Sequence, residues 1–246
     1  MYIDAHCHLA HPDFEMDYEE VVARALAAGV KKMYCTGGMK GNSEKIIKMC
    51  SSRASLRPVI GIDPHEATKL SREEVEAELD FIGKHHKQIA AIGEIGLDYH
   101  HFTDEKDKVK QIAVFTQQLE LARTLDLPIV VHSRKAEEKI IDFLIGEKFK
   151  DFMLHCFLVK NLASKAVAAG GIVSLPTIKS KNRKQIMKNL PLSSMVCETD
   201  SPYLWQNGRN EPANVVEVYQ EMSKVRGETI DKIAQQILKN SEEFFR

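Results

Sequence analysis

The stretch Ala90-Ala91-Ile92-Gly93-Glu94-Ile95 is a short, mostly apolar run, and the segment that follows it has a different periodicity. A short apolar run bounded by a loop is typical of a buried strand, whereas spacings of three and four place one face of a helix against a core. These spacings are shown by Val109, Ile112, Phe115, Leu119 and Ala122. This part of the sequence therefore predicts a strand followed by a helix.

The same alternation of strand and helix recurs along the chain. Eight units in 246 residues give about 31 residues per unit, close to the roughly 30 residues of a βαβ unit. The predicted strands are Tyr2–His6, Lys32–Thr36, Arg57–Ile62, Ala90–Ile95, Pro128–His132, Phe152–His155, Gly171–Leu175 and Met195–Thr199. Eight parallel strands can close into a barrel, whose usual length is about 250 residues.

The chain is therefore predicted to be an α/β protein, a single (β/α)8 TIM-barrel domain over residues 1–246. An open doubly wound sheet built from the same units is the alternative. No G-x-G-x-x-G motif follows the first strand, so the dinucleotide-binding form of that sheet has little support. Two helices, near Ala213–Val225 and Thr229–Leu238, are expected to complete the chain.

Some helix boundaries are marked by residues that satisfy free backbone groups. Asp17 with Glu20, and Ser71 with Glu74, have the spacing of capping boxes at helix starts. Gly29 is placed to end the first helix, since glycine adopts the left-handed conformation found after helices without strain.

Composition limits the classes of function. Lysine and arginine number 34 and the acidic residues 35, giving a formal charge of −1, which argues against gripping duplex nucleic acid mainly through bulk positive charge. No apolar run approaches the roughly 18 residues that cross a bilayer, and the N-terminus lacks the pattern of a secretory signal. We therefore expect no membrane partner. Five widely spaced cysteines without a C-x-x-C pair predict free thiols and a cytoplasmic location.

Residues that commonly bind metals fall at the ends of five predicted strands. His6 and His8 are two residues apart, so their side chains point to the same side of the first strand. In a closed parallel barrel the carboxyl ends of all strands meet at one rim, where barrel enzymes carry out their chemistry. Crowding imidazoles and carboxylates there is unfavourable unless one or two divalent ions balance them. The candidate metal ligands are His6, His8, Glu94, His132, His155 and Asp200.

Other residues of metal-binding type are assigned structural roles. Cys7, Cys156 and Cys197 lie beside candidate ligands but are expected to be small buried apolar side chains. The pairs His85-His86 and His100-His101 are expected to be solvated at a helix end or in a loop, without a ligand role.

Six motifs occur in order along nearly the whole chain. They are His6-Cys7-His8-Leu9, Gly93-Glu94-Ile95-Gly96-Leu97-Asp98-Tyr99, Val131-His132-Ser133-Arg134, Leu154-His155-Cys156-Phe157, Glu198-Thr199-Asp200-Ser201-Pro202-Tyr203-Leu204 and the tail Gly208-Arg209-Asn210-Glu211-Pro212-Ala213-Asn214-Val215. With these motifs the sequence resembles the TatD family of metal-dependent deoxyribonucleases. The resemblance implies a (β/α)8 metallohydrolase that cleaves phosphodiester bonds in DNA, often from a 3′ end.

The resemblance also implies roles for individual residues. One metal would lie among His6, His8, Glu94 and Asp200, and a second among Glu94, His132 and His155. A carboxylate has two oxygens and can span two ions about 3.5–4 Å apart. Glu94 and Asp200 are accordingly the predicted catalytic residues, and Asp200 is the best candidate for the general base that deprotonates a metal-activated water.

Two further residues near the predicted rim are candidates for substrate binding. His65 follows the third strand and Arg134 follows His132, and both are candidate phosphate contacts, the guanidinium in a bidentate manner. The sequence departs from the common family pattern at Asp63, where a histidine is usual, and at Leu158-Val159-Lys160, where a Ser-Gly pair is usual. The six candidate ligand positions are intact.

The ligand types and the reaction favour different metals. Imidazoles favour zinc, cobalt or manganese, whereas phosphoryl-transfer enzymes commonly use magnesium or manganese. We expect one or two divalent ions, with zinc or a similar ion in the purified protein and activity supported by Mg²⁺ or Mn²⁺.

The predicted substrate is DNA, cleaved at 3′ ends of single-stranded or frayed molecules, since the low net charge suits a short end. One alternative keeps the metals but hydrolyses esters or amides, as an aminoacyl-RNA deacylase does. Another is a noncatalytic binding protein on the same scaffold. Glu94 occupies the place where related amidohydrolase barrels carry a modified lysine, which favours the phosphodiesterase. No obligate protein partner is predicted.

Overall fold

Eight parallel strands follow one another around the molecule in chain order. The computed structural model describes residues 1–37, 41–206 and 208–245. Within them the strands are β1 (Tyr2–Cys7), β2 (Val30–Gly37), β3 (Leu56–Ile60), β4 (Ala91–Asp98), β5 (Ile129–Arg134), β6 (Phe152–Leu154), β7 (Ile172–Leu175) and β8 (Met195–Cys197). Each strand pairs with the next in sequence, in the order β1 to β8. This order confirms the predicted (β/α)8 barrel and excludes the open doubly wound sheet, in which the strand order reverses.

Helices connect the strands, and two more follow β8. Within the described residues they are α1 (Tyr18–Ala27), α2 (Asn42–Ser51), α3 (Pro64–Lys69), α4 (Arg72–His85), α5 (Glu105–Leu125), α6 (Glu137–Gly146), α7 (Lys160–Ala168), α8 (Lys181–Asn189), α9 (Val215–Arg226) and α10 (Ile230–Phe244). None of these helices combines the length and the apolar character needed to cross a lipid bilayer.

The barrel is nearly closed, and a seam joins β1 to the segment after β8. The backbone N–H of Asp200 donates to the carbonyl of His6 at 2.9 Å. Below it, the buried carboxyl group of Asp4 accepts hydrogen bonds from the N–H of Thr199 at 2.8 Å and from its hydroxyl at 2.5 Å. The last strand is thus tied to the first partly by a side chain, at the point where several candidate ligands stand.

The fourth strand is buried along its whole length. All eight residues of β4 are buried, as expected for a parallel strand covered on both faces. Gly96 has φ +138°, and a Cβ atom on it would lie 2.1 Å from the carbonyl oxygen of His132. Only glycine fits there, so the close approach of β4 to β5 is fixed where Glu94 and His132 lie.

Of the two predicted capping boxes, one forms and the other does not. Ser71 accepts from the N–H of Glu74 at 3.2 Å, and the Glu74 carboxylate accepts from the N–H of Ser71 at 2.8 Å. Asp17 precedes α1 but makes no side-chain cap. Its carboxylate instead accepts two hydrogen bonds from Arg209, at 2.7 and 2.6 Å. The guanidinium engages both carboxylate oxygens in a bidentate ion pair, which takes the place of the cap.

The buried face of α5 is rotated from the one predicted. Val109 is 63% exposed, whereas Gln111 and Gln118 are fully buried beside Phe115. Gln111 accepts from the N–H of Asp98 at 3.0 Å, and Gln118 bonds both backbone groups of Ile62, the second residue after β3. These glutamines satisfy strand-end backbone groups, so a pattern that counts only apolar side chains misses them.

The predictions for Gly29, for free thiols and for burial of Cys7 and Cys197 are confirmed, whereas Cys156 is less buried than predicted. Gly29 follows α1 with φ +89°. All five cysteines are free thiols, and four of them are buried, while Cys156 is half-buried.

Candidate metal centre

Thr36 of β2 orients the two histidines at the end of β1. The Thr36 hydroxyl lies 3.3 Å from Nδ1 of His6, and its carbonyl oxygen lies 3.2 Å from Nδ1 of His8. A carbonyl only accepts, so Nδ1 of His8 carries the proton in the neutral ring. The lone pair on Nε2 then faces inward, where the two Nε2 atoms are 3.1 Å apart. This orientation is what a metal-binding imidazole needs.

Glu94 stands between two groups of imidazoles. Its Oε1 atom lies 2.6 Å from Nδ1 of His132 and 2.8 Å from Nε2 of His155. Its Oε2 atom lies 3.5 Å from Nε2 of His6 and 3.7 Å from Nε2 of His8. The side chain is buried, with an exposed fraction of 9%. The two oxygens of this carboxylate therefore face different pairs of histidines: Oε2 faces His6 and His8, and Oε1 faces His132 and His155.

Asp200 completes the first group from the segment after β8. Its Oδ1 atom lies 3.2 Å from Nε2 of His8 and 3.5 Å from Nε2 of His6. The residue has φ +55°, a left-handed conformation that costs energy for a residue other than glycine. The seam hydrogen bond to His6 holds this backbone in place. The structure thus brings all six candidate ligands into one cluster at the carboxyl rim.

The spacing of these donor atoms fits divalent ions. Donors bound at about 2.0–2.1 Å around a tetrahedral ion lie about 3.3 Å from one another. In the first group the two histidine nitrogens lie 3.1 Å from each other and 3.2 to 3.7 Å from the nearest carboxylate oxygens of Glu94 and Asp200. In the second group the two imidazole nitrogens are 3.3 Å apart, whereas Oε1 of Glu94 lies at hydrogen-bond distance from both, at 2.6 and 2.8 Å. A donor set of imidazoles and carboxylates suits zinc, cobalt or manganese.

The electrostatics of the cluster call for positive charge. Burial disfavours the charged form of Glu94, yet the imidazoles of His155 and His132 hold the pKa of this carboxyl group well below its usual range. The pKa of Asp200 is lowered in the same way, against the effect of burial, mainly by its hydrogen bond with His8. Burial also opposes charge on His132, but bonds to Asp98 and Glu94 raise its pKa to about 9. The carboxylates of Glu94 and Asp200 are therefore negatively charged. This charge stabilises either protonated imidazoles or a bound metal ion in the cluster.

Two buried carboxylates that the sequence analysis did not single out support the imidazoles. Oδ2 of Asp98 lies 3.2 Å from Nε2 of His132. Oε1 of Glu198 lies 3.6 Å from Nδ1 of His155 and accepts from the N–H of Cys156 at 2.6 Å. A carboxylate hydrogen-bonded to a metal-binding histidine fixes the orientation of the ring, as Asp98 does for His132, whereas Glu198 is a buried charged neighbour of His155. Asp98 lies four residues beyond Glu94 on the same strand, so alternation along the strand was a usable signal for it.

Asn210 holds the loop that carries Asp200. Its side-chain amide donates to the carbonyl of Thr199 at 2.9 Å and to the carbonyl of Tyr203 at 2.7 Å. Tyr203 is 49% exposed, and its ring stands edge-on to His8 with centroids 5.9 Å apart. Thr199 and Tyr203, on either side of Asp200, are therefore held by one side chain, and an exposed aromatic ring stands beside the cluster.

The candidate substrate contacts lie at the same rim but outside the cluster. His65 is in the first turn of α3, and its half-exposed ring places Nε2 3.4 Å from Oδ2 of Asp98. Arg134 ends β5 and is exposed. Asp63, the departure from the family pattern, caps α3 by accepting from the N–H of Glu66 at 2.8 Å.

His101 is exposed in the turn after β4, as expected, but its ring also contacts a buried carboxylate. The chain turns back after β4, so Oδ1 of Asp98 accepts from the N–H groups of both histidines, at 3.0 and 2.9 Å. This turn brings Nδ1 of His101 to 2.8 Å from Oδ2 of Asp98. His100 is exposed, as expected.

Comparisons with known proteins agree over almost the full length. Residues 3–246 match the sequence profile of a family described as "TatD related DNase". Deoxyribonuclease TATDN3 of Homo sapiens is 30% identical over 260 residues, which cover 99% of this chain and 94% of the human protein. The uncharacterized metal-dependent hydrolase YabD of Bacillus subtilis is 29% identical over 259 residues, covering 100% and 99%. The crystal structure of YjjV, a TatD homolog from Escherichia coli K12, matches with a TM-score of 0.92 and 28% identity, covering 99% and 97%.

Proposed function

This chain belongs to the family of TatD-related DNases, and from that premise we propose that it removes nucleotides from 3′ ends of single-stranded or frayed DNA with one or two divalent ions. The observation that carries the proposal is the position of Glu94, whose two carboxylate oxygens face separate groups of imidazoles. Two neighbouring ions suit phosphodiester hydrolysis, since both the attacking and the leaving oxygen need stabilisation.

The residues of the cluster have distinct roles in this proposal. Bound divalent ions would supply positive charge to the phosphate and would lower the pKa of water. His6 and His8, oriented by Thr36, would hold the first ion together with Asp200 and Glu94. His132 and His155 would hold the second with Glu94. Asp200 orients the attacking water and accepts its proton, because its carboxylate is ionised and lies at the edge of the cluster.

The phosphates of the DNA would meet His65 and Arg134. Both lie at the carboxyl rim of the barrel, on either side of the strand end that carries Asp98. Arginine presents a planar fork of donors that matches phosphate oxygens. Arg134 is an exposed residue at the end of β5, where DNA can reach it.

Replacing His65 or Arg134 with alanine is expected to raise the KM for a single-stranded oligonucleotide about tenfold and to change kcat less. A charged hydrogen bond to a phosphate contributes about 1.5–3 kcal/mol to binding. Steady-state kinetics measure the split between the two constants. Arg72→Ala, on the exposed face of α4, is the control and should match the wild type. Unchanged kinetics in both rim variants would leave these residues without a substrate role.

Tyr203 offers a surface on which a terminal base can stack. Replacing Tyr203 with alanine is expected to raise the KM for single-stranded DNA, because stacking of a base on an aromatic ring contributes about 1–3 kcal/mol. Tyr203→Phe keeps the ring and should retain the wild-type KM. For an oligonucleotide that lacks the terminal base, Tyr203→Ala should raise the KM much less than it does for the complete strand. Equal effects on both substrates would argue against stacking.

The proposed activity is tested by a panel of matched substrates. Protein reloaded with Mg²⁺ or Mn²⁺ after chelation is mixed with 5′-labelled DNA, 3′-labelled DNA, RNA of the same sequence and an aminoacyl-RNA. We expect a descending ladder from the 5′-labelled strand and early release of the label from the 3′ end. Faster hydrolysis of the aminoacyl-RNA than of DNA would favour the deacylase alternative and contradict the proposal.

A further inference from the structure

A third group of imidazole and carboxylate donors lies outside the six candidate ligands. Nδ1 of His101 is 2.8 Å from Oδ2 of Asp98, and Nε2 of His65 is 3.4 Å from the same oxygen. The three donor atoms lie within 4.8 Å of one another. We propose that His65, Asp98 and His101 bind a further divalent transition-metal ion.

The distance between His65 and Asp98 favours a shared ion, whereas the 2.8 Å between His101 and Asp98 is that of a hydrogen bond. Donors around one tetrahedral ion are about 3.3 Å apart. The separation of 3.4 Å between His65 and Asp98 is long for a hydrogen bond between nitrogen and oxygen, but it fits two ligands of one ion. Oδ2 of Asp98 already faces two other imidazoles, those of His101 and His132. Oδ2 of Asp98 therefore has little capacity left for a hydrogen bond with His65. An ion placed among the donors would give the His65 ring a partner.

The carboxylate of this site is rigid and the approach to it is open. The Asp98 side chain is fully buried, and its Oδ1 atom is held by two backbone N–H groups. The side chains of His65 and His101 are each 43% exposed, so an ion can enter from solvent. Phe102 packs edge-on against the His65 ring, with centroids 4.9 Å apart, and limits its rotation.

The donor set indicates the class of ion. Two imidazoles and one carboxylate leave coordination positions open for water, and they suit zinc, cobalt or nickel better than magnesium or calcium. Asp98 also contacts His132, so an ion here would be linked through one carboxylate to the candidate centre. The existence of the site does not depend on which bond the enzyme cleaves.

The test is a count of bound ions. Wild-type protein and His101→Ala are stripped with a chelator, dialysed against the same free Zn²⁺ concentration and analysed by mass spectrometry of the metal. We expect His101→Ala to hold one zinc fewer per chain than the wild type. His100→Ala changes the exposed neighbouring histidine and should keep the wild-type count. Thermal unfolding of each variant verifies that the fold is retained.

A second measurement on the wild-type protein avoids variants altogether. Crystals grown with Zn²⁺ and measured at the zinc absorption edge should show an anomalous peak among His65, Asp98 and His101. Equal zinc counts in the wild type and His101→Ala, or an anomalous map without that peak, would overturn the inference. Neither readout involves cleavage, so failure of the proposed nuclease activity would be seen separately.

Discussion

Replacing Glu94 with alanine is expected to abolish metal-dependent cleavage of DNA, with kcat reduced at least about a thousandfold. Its two oxygens approach all four histidines of the cluster, at distances from 2.6 to 3.7 Å. Without Glu94 the pair His132 and His155 loses the carboxylate that faces both rings. A loss of about 4 kcal/mol of transition-state stabilisation corresponds to that factor, and metal ions commonly contribute several kcal/mol.

The measurement is digestion of a 3′-labelled single-stranded oligonucleotide over a series of Mn²⁺ concentrations. Glu120→Ala, on the exposed face of α5, removes the same charge elsewhere and should behave as the wild type. Circular dichroism should show an intact barrel in both variants, because the Glu94 side chain lies at the rim and the apolar strand residues form the core. Wild-type activity of Glu94→Ala at any Mn²⁺ concentration would refute the two-ion mechanism.

Asp200→Asn is expected to lower kcat by about 10² to 10⁴, the usual contribution of a positioned general base. Asparagine keeps the shape of the side chain but neither accepts a proton from water nor carries the negative charge. The backbone N–H of residue 200 still bonds to His6, so the loop should keep its path. We expect the KM to change little, because the proposed phosphate contacts, His65 of α3 and Arg134 of β5, lie on other elements.

Single-turnover kinetics on preloaded enzyme separate the chemical step from binding. Asp231→Asn, on the exposed side of α10, is the matched control. If Asp200→Asn retains the wild-type single-turnover rate, then Asp200 is at most a ligand and another group must accept the proton. A fall in rate that high Mn²⁺ fully reverses would likewise assign Asp200 to ion binding alone.

The barrel and the cluster could be anticipated because both follow from strand periodicity. Buried parallel strands give apolar runs, and their carboxyl ends share one rim, so residues such as His6 and Asp200 meet although nearly two hundred positions separate them. Two-residue alternation correctly predicted that His6 and His8 share a side. The same rule, continued past Glu94, would have identified Asp98.

What could not be anticipated depends on partners that sequence spacing does not reveal. Asp17 has the spacing of a helix N-cap relative to Glu20. Its carboxylate nevertheless accepts hydrogen bonds from Arg209, which is distant in the sequence. The buried face of α5 includes Gln111 because that side chain bonds a strand-end amide, which no count of apolar residues detects. His101 lies in a loop, as its sequence context predicts. Its contact with Asp98 depends on the turn after β4, which residue spacing does not reveal.

The seam between β1 and the segment after β8 has a consequence for the metal-free protein. His6 and His8 lie on one side of this seam and Asp200 lies on the other. An ion bound by all three would cross-link the two sides. After removal of metal by a chelator, we expect local opening to begin at this seam. The amide hydrogens of His8 and Asp200 should then exchange faster than those of β4 and β5. Cation supply would then govern the lifetime of the intact barrel as well as its chemistry.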